Sequence, residues 1–563
     1  MAAAKIHRVG RVQKKQAKKK RQRQVREKKA EAKRRRGRPK QKRYYAKSRF
    51  SLKRLKKLLN NIEIVIRVEI SDQSFNKEPE RMYSSYQFRP LTIKFAPDGV
   101  LKGGILRFIF AWIDWSFIRQ LVASAYKNSK EGGYCWDPVT LFLLDLIRVL
   151  LHFSSRDALL DELHKETPLG RQIAVLVGID LDQPKDPEHK VPSEMAFTHF
   201  RNRIGPVVYE AVFHLMVGLL RQLDIITFQV LAFDSMLVEA WATFRGCENA
   251  GQAGHGCQEC PLFQECKRVP YDLEGGVGHR RQKDNPKQVE PVFGYKAHVG
   301  VTFEVKLGME FPVAILTTPG QLYDGNYFIT LLEQMESYHQ QVTAVFHLAD
   351  GHYDDFKNYI AARKRGAKPL FHYNKRNEKT DEESLRVRGY NEVGWPYAPC
   401  GVVMHPNGYD SETLRLKFTC GQACPDGCGQ CPFQANKTGC VKNVPVNDDS
   451  RLVLEIPRGS RRYKIIFALR SSVERNNDYF ADNGLSRPKY HGLHNMQLNT
   501  LLTGIVTLWR KFYDLMEQAS CQEAHPEQYP TLDLSEMPLE KAIRERWKHF
   551  HEEDELLAFP PDG

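Results

Sequence analysis

Two short apolar runs, each stopping at an aspartate, constrain the fold more than anything else in the chain. In residues 342–355, VTAVFHLADGHYDD, the side chains of Val345, Phe346, Leu348 and Ala349 make a β-rich run that ends at Asp350, with a glycine next. Upstream, residues 230–236, VLAFDSM, lead through apolar positions to Asp234, followed by small, polar Ser235. Short apolar runs bounded in this way read as buried strands. Each then delivers a carboxylate to the carboxyl edge of a sheet, where α/β folds place their chemistry. Taken singly, either Asp is equally a strand-end turn residue or a helix N-cap. As neighbours they carry more information. Like charges a few ångströms apart resist joint ionisation unless a cation lies between them. Hard divalent ions such as Mg²⁺ or Mn²⁺ take oxygen ligands of this kind.

The charge is divided unevenly. Residues 1–60 hold 27 Lys and Arg against only Glu27 and Glu31; that net +25, set against +17 for all 563 residues, leaves the remainder at −8. A basic tail on a mildly acidic body is a polyanion-binding device, and the commonest polyanion is nucleic acid. The first 43 residues are too polar to bury a core and are expected to be disordered when free. Within them Arg36-Gly37-Arg38-Pro39 resembles the core of an AT-hook: glycine lets the backbone approach, and Arg36 and Arg38 suit the negative potential of a narrow minor groove. General phosphate binding and nuclear localisation are the other readings of the tail. With no apolar run long enough to span a bilayer and no signal-peptide pattern, the chain is expected to be cytoplasmic and DNA-associated, with no membrane partner.

The length suggests three or four domains of ~150 residues. Residues 62–70, IEIVIRVEI, alternate as a strand does. From 105 to 228 the apolar spacing is helical, and the basic residues of 198–203 are candidates for a DNA-contacting helix or for a solvated helix face. From 227 to 373 the order is β/α: a strand to Asp234, strands near 292–303 and 309–317, a helix from Tyr327, the strand to Asp350, a helix near 355–365 and a strand at 369–373. Helices follow over 463–480 and 498–516. Lys296 and His298 fall on the strand expected beside Asp234; the lysine suits a DNA phosphate and the histidine suits a packed, hydrogen-bonded position.

Two Cys-rich stretches interrupt this order. Cys257 and Cys260 form a C-x2-C-P turn flanked by Cys247 and Cys266, and a similar C-x2-C-P turn recurs at Cys428 and Cys431, between Cys424 and Cys440. Tetrahedral Zn²⁺ takes four thiolates and C-x2-C supplies two from one turn. Structural zinc sites are therefore expected at Cys247, Cys257, Cys260 and Cys266 and at four of the five later cysteines that begin with Cys420, with Cys424, Cys428, Cys431 and Cys440 the favoured set. An iron–sulfur cluster is the alternative.

Together, FDSMLVEAW (233–241), FGYKAH (293–298), TTPGQLYDGN (317–326), LADGHYD (348–354) and RSSVERNN (470–477) resemble the insertion-sequence transposases with an RNase H-like DDE domain. The resemblance spans roughly 105–515. It implies an α/β fold in which an RNase H-like catalytic core follows an all-α domain and carries Cys-rich inserts. The expected boundaries are a basic DNA-binding tail over 1–60, a short β-rich segment over 61–104, a helical DNA-binding domain over 105–228, the catalytic domain over 229–515 with inserts near 242–290 and 374–462, and a tail over 516–563. It further implies Asp234 and Asp350 as the first two acids and Glu474 as the third, two-metal phosphoryl transfer that cuts element ends and joins them to target DNA, and a homodimer bridging two ends.

The family's helix signature pairs a Tyr, an Arg, a Glu and a Lys. Arg470 and Glu474 fit it, while Phe467 and Ala481 stand at the Tyr and Lys positions. The missing lysine's phosphate contact then falls to Arg475, Arg487 or Lys489, and Asp478 and Asp482 are reserve third acids. A metal-dependent nuclease on the same fold, or a domesticated DNA-binding protein without activity, are the rival functions.

Overall fold

The computed structural model describes residues 45–46, parts of 104–122, 136–184, 190–242, 272–281, 288–376, 378–421, 431–433, 436, 438–525, 527 and 531–551. The expected strand at 62–70, the basic tail with Arg36 and Arg38, the cysteines Cys247, Cys257, Cys260 and Cys266, and Cys424 and Cys428 lie outside the described residues.

The described elements that precede the sheet, from 117 to 222, are helices. They are α1 (Phe117–Val122), α2 (Pro138–Leu150), α3 (Arg156–His164), α4 (Pro168–Leu176) and α5 (Glu194–Gln222). The sequence caps them itself: Asp137, Ser155, Thr167 and Ser193 each accept a hydrogen bond from a backbone N–H of the first turn. Every residue of α2 is buried. α5 kinks where Gly205 adopts φ +65° ahead of Pro206, a backbone geometry open to glycine and a proline placement that opens a fresh helical turn. By length and composition α5 is apolar enough to cross a membrane, which corrects the expectation that no stretch qualifies; most of its apolar window is buried inside the protein, as in a core helix.

The expected DNA-contacting helix is α5, and the structure corrects its orientation at Arg201. That side chain is 1% exposed and chelates Asp145 with bonds of 2.8 and 2.7 Å. Tyr209 donates to the same carboxylate at 2.9 Å. Arg148, Arg156 and Arg201 all stand over the ring of Tyr490, and Arg148 reaches Asn499 at 2.6 Å. A guanidinium desolvated this completely needs its carboxylate, so Arg201 serves the interior rather than a phosphate.

The central sheet holds β1 (Val230–Glu239), β2 (Gly276–Arg281), β3 (Val289–Glu304), β4 (Met309–Pro319), β5 (Phe346–Ala349) and β6 (Lys368–Phe371) in the order β2-β3-β1-β5-β6, with β4 also on β3. β1, β5 and β6 run parallel; β3 is antiparallel to β1, β2 and β4. All four residues of β5 are buried, as a parallel strand covered on both faces requires. The helices α6 (Phe328–Tyr338) and α7 (Phe356–Lys364) lead into β5 and β6. β1 was expected to stop at Asp234 and instead runs on to Glu239. Its parallel neighbour ends at Ala349, but the antiparallel register with β3 continues from Asp234↔Val299 to Glu239↔Gly294. Gly294 is required there, because a Cβ would lie 2.1 Å from the Val238 carbonyl oxygen.

Beyond β6, α8 (Glu382–Arg388) precedes a small antiparallel sheet of β7 (His405–Asp410), β8 (Arg415–Thr419) and β9 (Val441–Pro445), with its own core around Trp395, Met404 and Phe418. This piece is tied to the main sheet by Arg451, which pairs with buried Asp354 at 2.7 Å, and by Arg458, which donates to the Phe371 carbonyl at 3.0 Å. The chain returns through α9 (Arg461–Phe467) and α10 (Ser471–Phe480), which packs on β1 and β3, and through the long α11 (Leu493–Ala524), which packs on α5 and β4. α12 (Leu539–Phe550) closes the described chain.

Candidate active site

β1 and β5 are adjacent and parallel, in register at Phe233↔Ala349. The next residue on each is an acid, so the backbone starts Asp234 and Asp350 side by side, about one strand spacing (~4.8 Å) apart. Asp234 accepts from its neighbour's amide, Ser235 N, at 2.8 Å. Asp350 caps the single turn Gly351–Tyr353: His352 N donates to its Oδ1 at 2.9 Å, and the His352 ring Nδ1 lies 2.8 Å from its Oδ2.

The two carboxyls are driven apart electrostatically. Burial, then the charge of Asp350 and, more weakly, that of Asp324, push Asp234 up to about 7, against the Ser235 amide and the Arg470 guanidinium. Burial also pushes Asp350 up, but the hydrogen bonds and charge of His352, with Arg470, outweigh it and hold that carboxyl below the ordinary range. One acid kept ionised beside one that resists ionisation is the signature of two carboxylates sharing a site.

Arg470 is the cation common to both acids. It ends the turn before α10, stacks over Phe467 with 5.9 Å to the ring centre, and donates to Glu474 at 2.5 Å. Glu474 lies on the outer face of α10 with its side chain 52% exposed. The structure thus brings Asp234, Asp350 and Arg470 together, while the Glu474 carboxylate sits on Arg470. Among the described residues no three His, Cys, Asp or Glu side chains are arranged to hold a metal ion.

Asp324 is an acid that sequence reasoning missed. It opens a single turn, Asp324–Asn326, that packs against the Gly351–Tyr353 turn following Asp350. It lies within the resembling segment TTPGQLYDGN, yet only the topology shows that this loop meets the Asp350 turn. Lys296 is bound to it at 2.7 Å and to the Leu322 carbonyl at 2.9 Å, so its charge is already committed. His298 holds Thr318 Oγ1 at 2.8 Å, and burial lowers it to about 4, which keeps it neutral and packed as expected. Arg475 is committed as well: it pairs with Glu310 at 2.8 Å, and Lys511 takes the other oxygen of that buried carboxylate at 2.7 Å.

Of the second cysteine set, Cys431 and Cys440 are described. The Cys440 amide donates to Cys420 Sγ at 3.0 Å. The Cys440 thiol is raised by burial and by Cys420, Cys431 and Cys400. Cys400 is remote in sequence from the C-x2-C turn, and spacing alone left it out.

A family model described as Transposase DDE domain matches residues 267–500, and one described as Transposase domain (DUF772) matches residues 97–203. The chain belongs to the insertion-sequence transposases of the DDE, RNase H-like type. No curated protein matches it. The DDE match contains Asp350, Arg470, Glu474, Lys296 and Asp324; Asp234 precedes it by 33 positions, and the β1–β5 register sets it beside Asp350. The family implies a DNA substrate and a divalent metal such as Mg²⁺.

Proposed function

We propose that this transposase cleaves the ends of a mobile element and joins them to target DNA, with Asp234, Asp350 and Glu474 as its catalytic acids. The observation that carries the reading is the acid pair. Two carboxyls started side by side on parallel strands, one of them pushed up to about 7, fit a hard divalent cation, which would relieve the repulsion between them. Mg²⁺ or Mn²⁺ held there supplies Lewis-acid stabilisation of the phosphoryl oxygens and lowers the pKa of the attacking hydroxyl or water.

The remaining work belongs to the chain's own groups. His352 fixes the orientation of Asp350 through two contacts. Arg470, beside both acids, would meet a DNA phosphate, and Glu474, whose carboxylate is bonded to Arg470, would be the third residue to hold the cation. Lys296 and Arg475 contact DNA in this reading only by loosening from Asp324 and Glu310, so Arg470 carries more of the phosphate binding. The tail with Arg36 and Arg38 adds salt-dependent affinity. A homodimer bridging two ends and structural Zn²⁺ on the cysteine clusters complete the proposal; the zinc rests on the repeated C-x2-C spacing.

The test is a labelled element end incubated with target DNA and Mg²⁺. Joined products are expected. Cleavage without joining identifies a nuclease on the same fold. Tight binding without chemistry identifies a DNA-binding protein and contradicts the proposal.

A further inference from the structure

One surface cluster lies outside the acid site. Past Asp234, β1 continues to Glu239, and Trp241 follows with 43% of its surface exposed. The segment after α10 comes back alongside: Glu239 N donates to the Ser486 carbonyl at 2.9 Å, and Arg487 Nε lies 3.2 Å from the Glu239 carboxylate. The Arg487 guanidinium stands 4.9 Å from the Trp241 ring centre, and the Lys489 ammonium 5.5 Å from it. The ion pair to Glu239 is an ordinary exposed surface bridge, which contributes little. It does not explain an indole left in water between two cations.

That combination has a known chemical use. Every nucleobase has a π-face, so an exposed aromatic ring takes an unstacked base whatever its identity, and adjacent cations take the phosphates on either side. The position suits the substrate of the proposed reaction. Beyond the Phe233↔Ala349 pair β1 projects past the edge that carries the acids. Trp241 lies seven positions past Asp234, five of them along β1, a span of at most about 23 Å at ~3.3 Å per residue, or roughly seven nucleotide steps at ~3.4 Å per step along one strand.

We propose that Trp241, Arg487 and Lys489 form a platform for an unpaired nucleotide of the DNA strand running away from the acid pair. The inference rests on the DNA-processing reading above and adds a single-strand subsite to it.

The experiment measures binding of the full-length protein, without divalent metal, to a labelled blunt duplex and to the same duplex with an oligothymidine overhang. The wild type is expected to prefer the overhang. Trp241→Ala is expected to lower overhang affinity about tenfold or more and to leave duplex affinity nearly unchanged, while Trp241→Phe keeps most of the preference. Arg487→Ala combined with Lys489→Ala is expected to reduce the slope of log affinity against log salt by about one to two on the overhang DNA. The basic tail contributes to both DNAs and cancels in the comparison. Equal binding of both DNAs by wild type and Trp241→Ala, or equal losses on both, overturns the platform alone. Failure of the wild type to bind any DNA overturns the parent reading as well.

Discussion

Asp350→Asn is expected to lower Mg²⁺-dependent cleavage of an element end by about a thousandfold, with DNA binding and the folded state retained. The size follows from the role. Metal-held charge stabilisation at phosphorus is worth several kcal/mol, and each ~1.4 kcal/mol is tenfold in rate. The amide is isosteric, so it can still accept from the His352 backbone N–H while losing the charge that the proposed cation would need. Glu474→Gln is expected to be comparably severe. Asp478→Asn and Asp482→Asn, both exposed, are expected to stay within a few-fold of wild type. Gel quantitation of cleaved strands under single-turnover conditions checks all four variants. Near-wild-type cleavage by Asp350→Asn rules out the carboxylate chemistry.

The second large effect is on stability. Asp145→Ala is expected to cost roughly 3–5 kcal/mol, read as a fall in the urea midpoint. Asp145 is the carboxylate that balances a buried cluster: Arg201 chelates it, Tyr209 donates to it, Arg148 lies 3.5 Å away, and with Arg156 these guanidiniums crowd one tyrosine ring. Burial pushes the Asp145 carboxyl up, but Arg201 and Arg148 hold it below the ordinary range, so it is ionised in the fold. Removing it leaves Arg201 as a desolvated cation without its counter-charge. Asp161→Ala supplies the contrast. Its bridge to Lys165 is exposed on both sides, and its loss is expected to change stability by less than about 0.5 kcal/mol. Equal effects of the two substitutions contradict the buried-network account.

The sequence was most legible where one interaction dominates. β5 is four apolar residues between turns, so hydrophobicity alone marks it, and Asp350 follows at once. The order of strands and helices from 230 to 373 is likewise visible as alternating patterns. Three features were not. The extension of β1 to Glu239 depends on its partner β3, because of residues 235–239 only Val238 is fully buried and the stretch carries no clean alternation of apolar and polar residues. Arg201 reads as a surface base because nothing local reveals Asp145, 56 positions away. Asp324 joins the acids through loop packing and marks itself only as an acid before glycine in a turn. In each case the missing information was a contact between segments far apart in the chain. Arg475 is the same lesson in reverse. It is one of the substitutes for the lysine missing at Ala481, and the fold gives its charge to Glu310.

The most direct test of the acid pair as a metal site is the unfolding free energy of metal-free wild type and Asp234→Asn at pH 8, with and without Mg²⁺. The Asp234 carboxyl titrates near 3.8 in the ordinary state and at about 7 in the fold. The folded protein therefore binds a proton more readily than the unfolded chain, and its stability falls as pH rises from about 4 through 7. Metal-free Asp234→Asn escapes that loss. It is expected to be more stable than wild type at pH 8 by on the order of 2–4 kcal/mol, a gap that closes as the pH is lowered toward 4. Added Mg²⁺ is expected to stabilise the wild type by mass action and the variant little, narrowing the gap. A variant no more stable than wild type at pH 8, or an equal Mg²⁺ effect on both proteins, contradicts the assignment of Asp234 and Asp350 as a cation site.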